Sequence, residues 1–430
     1  MTTLLPRHVL HVLNSAGGGA ALSTIGLMES LRQRGIESSA VCHDSGSASE
    51  REQLNVAAGG KLLFTPLYWW NYKIRQKAWK RPLSELRQLW RTGWKRRSTA
   101  QVVQFAQRHA IDLIHSNTIL TLEGGFAGRQ LGLPHVWHVR ELVGPGHPFR
   151  LPREGPALGR FLQSQAAKVI ANSQATAAAI QSWLPPGLLD VVPNGIDLSR
   201  FVPRRHDAEK RPLVVAMVGS LTSRWKNHRL FIQAAGLVDP ALPIEWRIYG
   251  HDPSLGGQLD QDDYVNQLLA EVQRAGLADR FHLAGFHSDP AEIMAQVDLL
   301  VHPAESESFG RVIVEGMAAG LPVVGVNAGG VGEIVRHEET GLLAPPGAAD
   351  VMARYITQLV CDAELRGRYG AAGCRRAHEC YSLQACVEGV IRTYRAAMAA
   401  SASGSAAQSP AASGRTDAAA LADNPVSVSG

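Results

Sequence analysis

One short stretch of this chain carries residues that could hold a charged sugar. Pro303 to Val324 reads Pro-Ala-Glu-Ser-Glu-Ser-Phe-Gly-Arg-Val-Ile-Val-Glu-Gly-Met-Ala-Ala-Gly-Leu-Pro-Val-Val. Glu305 and Glu307 fall in a loop, Phe309 and Gly310 at the start of a predicted helix, and Glu315 along it. A helix start offers unpaired backbone N–H groups and a positive dipole end, which suit a diphosphate. Gly310 lets a ligand approach the backbone closely. Carboxylates in the loop and on the helix are acceptors for sugar hydroxyls. Glu307 and Glu315 are eight positions apart, about 80° of rotation if both are helical, so they can flank one ligand. The pattern alone equally describes a solvated acidic loop that caps a helix, with Glu315 on the wet face.

Three elements must position these groups. Val297–Val301 is an apolar run of strand length. Phe309, Val312, Ile313 and Met317 recur at helical spacing, which predicts a helix over Phe309–Ala319. Leu321–Gly325 is a second short strand. Upstream, Leu213–Val218 is a strand that leads through Gly219 to Arg224, Lys226 and a helix starting near Asn227. Cations at such a helix mouth can neutralise a diphosphate. Trp246–Tyr249 and Arg280–Leu283 are further strands, with Phe286 just past the second, and Asp289 begins a helix. Gly329-Gly330 and Gly341–Leu343 are read as completing this sheet. Asp260-Gln-Asp262 fits a metal-holding D-x-D pattern but reads as a solvated loop ahead of a helix from Tyr264.

The first half opens as strand, glycine-rich turn and helix: His8–Leu13, then Asn14–Ala20 with Gly18 and Gly19, then apolar positions from Leu22 to Leu31. That is the start of a doubly wound α/β domain. Strands follow at Glu37–Cys42, Lys61–Phe64, Ala110–His115, Leu133–Val139, Lys168–Asn172 and Leu189–Val192. Polar His138, Arg140 and Glu141 close the strand at Leu133, on the carboxyl edge where such sheets bind ligands. His138 shares a pleat face with Arg140 and is as well explained as a core-edge histidine. Gly144–Pro148 reads as a mobile loop, and Ser173 as a helix cap.

At 430 residues, with 45% hydrophobic residues and a mean hydropathy of −0.07, two soluble domains are the natural expectation. No apolar run approaches the roughly 20 residues of a membrane span, and Met1–Leu13 lacks a signal-peptide layout. Five cysteines, Cys42, Cys361, Cys374, Cys380 and Cys386, contain no C-x2-C unit, so free thiols in a reducing cytoplasm are expected rather than zinc. The net charge of +5 is unevenly spread. Tyr68–Arg97 holds Trp69, Trp70, Trp79, Trp90 and Trp94 among many cations, with Glu85 as its one acid. An anionic membrane surface, a packed helical insert with solvated cations, and nucleic acid all fit such a segment, nucleic acid least.

Glu307, seven residues, Glu315, then Gly316-Met-Ala-Ala-Gly-Leu-Pro-Val-Val324 resembles the E-x7-E signature of retaining glycosyltransferases of family 4. The resemblance implies a GT-B fold, α/β, with two doubly wound Rossmann-like domains facing a cleft. It implies an acceptor-side domain at 1–203, a nucleotide-sugar domain at 204–380 and a crossover helix at 381–398, while composition sets apart the insert at 66–97 and an Ala/Ser/Gly-rich tail at 399–430 that reads as disordered. The Pro-Asn-Gly-x-Asp at Pro193 to Asp197 resembles the family's interdomain segment, and the charged, proline-flanked Phe201–Arg211 reads as a linker.

The implied reaction moves a sugar from a nucleoside diphosphate sugar to a saccharide or lipid-linked acceptor, with retention and without a metal or other cofactor. Glu307 would meet the donor sugar and Glu315 the ribose. Arg224, Lys226, Phe309 and Gly310 would hold the diphosphate, Phe286 the base, and Gly18 and Gly19 the donor phosphates and acceptor. The sequence departs from the family twice. The histidine of its Thr-x-His-Asp motif falls on Arg140, which leaves Arg140 or His138 to act at the sugar. An arginine common after the glycine is Ser220, with Arg224 as the candidate replacement. An epimerase on the same fold and an inactive sugar-nucleotide binder are the alternatives. The implied setting is cytoplasmic and peripheral to the inner membrane face, in polysaccharide, lipopolysaccharide or glycolipid synthesis, with no nucleic-acid partner.

Overall fold

The structure is a computed structural model. It describes residues 5–71, 81–144, 147, 149–203, 212–221, 223–250, 259–287 and 289–405, with only the backbone at 81–94, 259–263 and 403–405.

Short apolar runs separated by helices can bury both faces only as parallel strands. Seven of them form the first sheet: β1 (His8–Leu13), β2 (Glu37–Cys42), β3 (Leu62–Phe64), β4 (Leu113–Ser116), β5 (His135–Val139), β6 (Lys168–Ala171) and β7 (Leu189–Val191). Six form the second: β8 (Leu213–Val218), β9 (Ile244–Tyr249), β10 (Phe281–Gly285), β11 (Leu299–His302), β12 (Val323–Val326) and β13 (Gly341–Ala344). The orders are β3-β2-β1-β4-β5-β6-β7 and β10-β9-β8-β11-β12-β13. Every pairing is parallel. In both sheets the order reverses beside the first strand, so each has a switch-point crevice at its carboxyl edge.

The helix Leu383–Ser405 returns to the first sheet. Its Val387, Val390, Ile391 and Tyr394 pack with Val9, Leu27, Val136 and Ile170. Each fully buried large apolar side chain contributes about 1.5–3 kcal/mol, so this helix fastens the chain's end to its beginning. It also runs through 399–405, where no order was expected. The run Ala396-Ala-Met-Ala-Ala400 has the strongest helix propensity available and continues the helix. Residues 406–430 lie outside the described residues, as do most of the linker at 204–211, much of the 144–148 loop and residues 72–80 of the insert.

Two other expectations are corrected. Asp260 and Asp262 lie in the first turn of the helix Leu259–Arg274, not in a loop, as acidic residues at a positive helix end can. Gly329 and Gly330 are not sheet residues. They form a turn into the helix Val331–Ile334, with Gly329 at φ 53. Of the insert's tryptophans, Trp70 is buried and donates its indole N–H to the Ile119 carbonyl at 2.5 Å, while Trp69 is 41% exposed. The side chains of Trp79, Trp90 and Trp94 lie outside the described residues. Among the described residues no helix is long and apolar enough to cross a membrane.

Candidate active site

A cavity of about 810 Å³ lies between the two sheets. Its walls include Gly19, Arg140, Arg224, Lys226, Phe286, Glu307, Phe309, Gly310 and Glu315. Gly18 and His138 are not part of its lining. Gly18 instead precedes the helix Gly19–Gln33 at φ 85, a left-handed conformation that glycine adopts freely.

On the second-domain wall, the loop after β11 turns at Gly310, φ 97, into the helix Arg311–Ala318. The positive φ is what calls for glycine there, since the Ile313 Cδ1 that a Cβ would meet at 2.9 Å is the movable end of a side chain. Glu307 accepts from Lys226 Nζ at 2.5 Å and lies 3.3 Å from His302 Nε2. Burial pushes the Glu307 carboxyl up, but Lys226 and His302 overcome it and hold the group well below the ordinary carboxylate range. Burial likewise lowers His302, with Glu307 opposing. Glu315 is 4% exposed and accepts from Arg311 Nε at 2.7 Å. Burial raises its pKa, with Arg311 opposing. Glu305, which the sequence sets beside Glu307, serves the loop: it accepts from Asn227 Nδ2 at 3.2 Å and Gly347 N–H at 3.1 Å.

Arg224 stacks 4.8 Å from the Tyr264 ring centroid and lines the same wall as Ser220. Phe286 is 59% exposed, an unusual state for a large apolar ring and one suited to stacking on a flat ligand.

On the first-domain wall, Arg140 sits just past β5. Its guanidinium donates to Asn194 Oδ1 and to Asn117 Oδ1, the latter at 3.3 Å, and lies 3.3 Å from His138 Nδ1. Burial brings its pKa down to about 10, so it stays charged near neutral pH. His138 therefore sits behind Arg140, fully buried, in contact with His115, whose Nδ1 is 2.7 Å from Tyr394 Oη. Glu141, on which the family's aspartate falls, is turned away: it accepts from Thr118 Oγ1 at 2.5 Å and Ile119 N–H at 3.2 Å.

Sequence reasoning missed four participants. Arg311 Nη1 reaches Ser23 Oγ of the first domain at 3.1 Å while its Nε holds Glu315. His302 ends β11, and that strand-end position was its only signal. Asn194 belongs to the Pro-Asn-Gly turn, read only as a connector. Glu333 spans the domains and accepts from the N–H groups of Gln174 at 2.7 Å and Ala175 at 2.5 Å.

Two family models cover almost the whole globular part: glycosyltransferase family 4 over residues 17–200 and glycosyl transferases group 1 over residues 200–376. A D-inositol 3-phosphate glycosyltransferase of Salinispora arenicola is 30% identical over 317 residues, 67% of this chain and 69% of that relative. The chain belongs to glycosyltransferase family 4. HepE of Anabaena, solved with UDP, is similar with a TM-score of 0.71 at 26% identity, over 90% of this chain and 99% of that one. Its complex with UDP-glucose matches at 27% identity with a TM-score of 0.71, over 90% and 98%. The fold is GT-B, and this family 4 enzyme is a glycosyltransferase.

Proposed function

We propose that this chain transfers a sugar, with retention, from a UDP-sugar to a saccharide or lipid-linked acceptor. The observation that carries this reading is a single interdomain cavity. It gathers two carboxylates, Glu307 and Glu315, two cations, Arg224 and Lys226, and an open helix start at Gly310. UDP as the leaving group is supported by the HepE complexes with UDP and UDP-glucose.

Lys226 and the N–H groups at Gly310 face the diphosphate as it gains charge, which lowers the barrier electrostatically without a metal ion. Arg224 supplies the charge of the arginine that Ser220 replaces. Glu315 holds the ribose, Glu307 the donor sugar, and Phe286 the uracil. The bond from the anomeric carbon to the diphosphate breaks as the acceptor oxygen bonds to that carbon, and the acceptor's proton passes to the departing diphosphate. His138 orients Arg140 from behind and makes no contact with the sugar.

Incubation with UDP-glucose, followed by proton NMR of the anomeric region, tests the reading. Slow hydrolysis or transfer that gives the α-anomer first supports it. A β-anomer product contradicts retention, and a C2-epimerised sugar contradicts transfer.

A further inference from the structure

The first-domain wall of the cavity carries a cation that forms no ion pair among the described residues. Four cations line the space: Arg140, Arg224, Lys226 and Arg311. Lys226 is paired with Glu307 and Arg311 with Glu315. Arg224 lies over the Tyr264 ring. Arg140 has no carboxylate within ion-pair distance among the described residues. Its neighbours are two amide oxygens, Asn194 Oδ1 and Asn117 Oδ1, and the neutral imidazole of His138. Its Nε is buried with no partner, and the residue is only 7% exposed.

Burying a guanidinium without a counter-ion is unfavourable. Here the surroundings orient the charge, and the Glu141 carboxylate favours it only from beyond ion-pair distance. Asn194, Asn117 and His138 fix the plane of the fork, which matches a carboxylate or phosphate. The diphosphate has cations of its own on the opposite wall, where Arg224 and Lys226 flank the helix start at Gly310. Arg140 instead stands with Gly19, Ala20 and Leu22 on the wall of the first domain.

We infer that Arg140 receives an anionic group of the acceptor, a phosphate or a carboxylate, so that the acceptor is an acidic saccharide or lipid-linked sugar. This rests on the transferase reading above and names the class of its second substrate. The guanidinium's charge draws the acidic acceptor in. In the complex, the ion pair aligns the acceptor hydroxyl with the donor sugar.

The test is calorimetry on the full chain saturated with UDP, which blocks the donor phosphate site. Inorganic phosphate, glucose 6-phosphate and glucose are titrated in turn. Glucose 6-phosphate should bind about tenfold or more tightly than glucose, and phosphate should compete with it. Arg140→Gln should erase that preference, and Arg140→Lys should keep part of it. Equal binding of glucose and glucose 6-phosphate to the UDP-saturated wild type overturns the inference while leaving the transferase reading in place. So does Arg140→Gln if it weakens UDP while phosphate fails to bind the UDP-saturated wild type, because the charge then serves the diphosphate. Failure of UDP to bind the wild type removes the transferase reading and this inference with it. The wild-type comparison needs no variant, so misfolding of Arg140→Gln does not blunt the test.

Discussion

The Lys226 ammonium stands 2.5 Å from the Glu307 carboxylate, across 81 residues of chain. Neither group is fully shielded, with side chains 21% and 13% exposed to the cavity. In the proposed reaction a donor diphosphate would compete for Lys226, trading one ion pair for another and releasing Glu307 towards the sugar. Glu307→Gln keeps the shape and removes the charge. It should lower kcat about a hundredfold or more while changing the Kd for UDP less than about threefold. Steady-state kinetics beside calorimetry check this, and unchanged turnover would remove Glu307 from the chemistry.

Gly330 sets the position of that glutamate. Its N–H donates to the Glu307 carbonyl at 2.8 Å, and a Cβ there would meet Ser308 O at 2.6 Å and Phe309 Cα at 2.9 Å. Both are backbone atoms that cannot swing aside. Gly330→Ala should displace the Glu307 loop, cost about 1–3 kcal/mol by overpacking, and cut kcat at least about tenfold. Thermal unfolding and kinetics measured together would show the coupled loss, and a fully active variant would contradict it.

The carboxyl half of the site was legible because its signal is local. The glutamates, the glycine and the apolar stripe from Phe309 to Met317 lie within one strand–loop–helix unit, where spacing alone sets geometry. The parallel strands were legible for the same reason: each is a short apolar run bounded by turn residues. What escaped was made by distance in the chain. Arg311 carries no signal of its own in the sequence, because its partner Ser23 lies in the other domain. Glu333 likewise carries no signal, because the backbone N–H groups it accepts from are those of Gln174 and Ala175, far away in the chain. Gly329-Gly330 resembles a strand edge because sequence cannot show that the Glu307 loop presses on it. His138 and Arg140 share a pleat face, but only the packing of His115 and Tyr394 shows that His138 lies behind.

Glu333 bridges the domains by accepting from Gln174 and Ala175 N–H groups. Glu333→Ala leaves both donors to solvent and favours an open cleft. UDP affinity should fall about fivefold, which corresponds to about 1 kcal/mol, and small-angle scattering should report a larger radius of gyration. An unchanged radius and affinity would mean the contact does not govern closure.

Buried histidines make the fold acid-sensitive. Burial, first among the causes, lowers His11 to about 3 and His135 and His228 to about 4, and His115 and His138 fall well below their ordinary value. In the unfolded chain each takes a proton near 6.5, so their stabilising contribution is complete above that pH. It is lost as pH falls towards 4, at about 1.4 kcal/mol per pH unit for each histidine. Buried Glu123, Glu141 and Glu315 have raised pKa values and act the other way, but they are fewer. Tm should fall steeply between pH 6.5 and 5, and a flat profile there would contradict the buried neutral cluster.

The central claim is that the interdomain cavity holds a nucleoside diphosphate through the helix that carries Glu315. Calorimetric titration of UDP, GDP and ADP into the wild type and into Glu315→Ala tests it most directly. We predict one UDP per chain, bound in preference to GDP and ADP and weakened at least about tenfold by Glu315→Ala. Equal affinity in the variant, or no nucleotide bound by the wild type, would contradict the account.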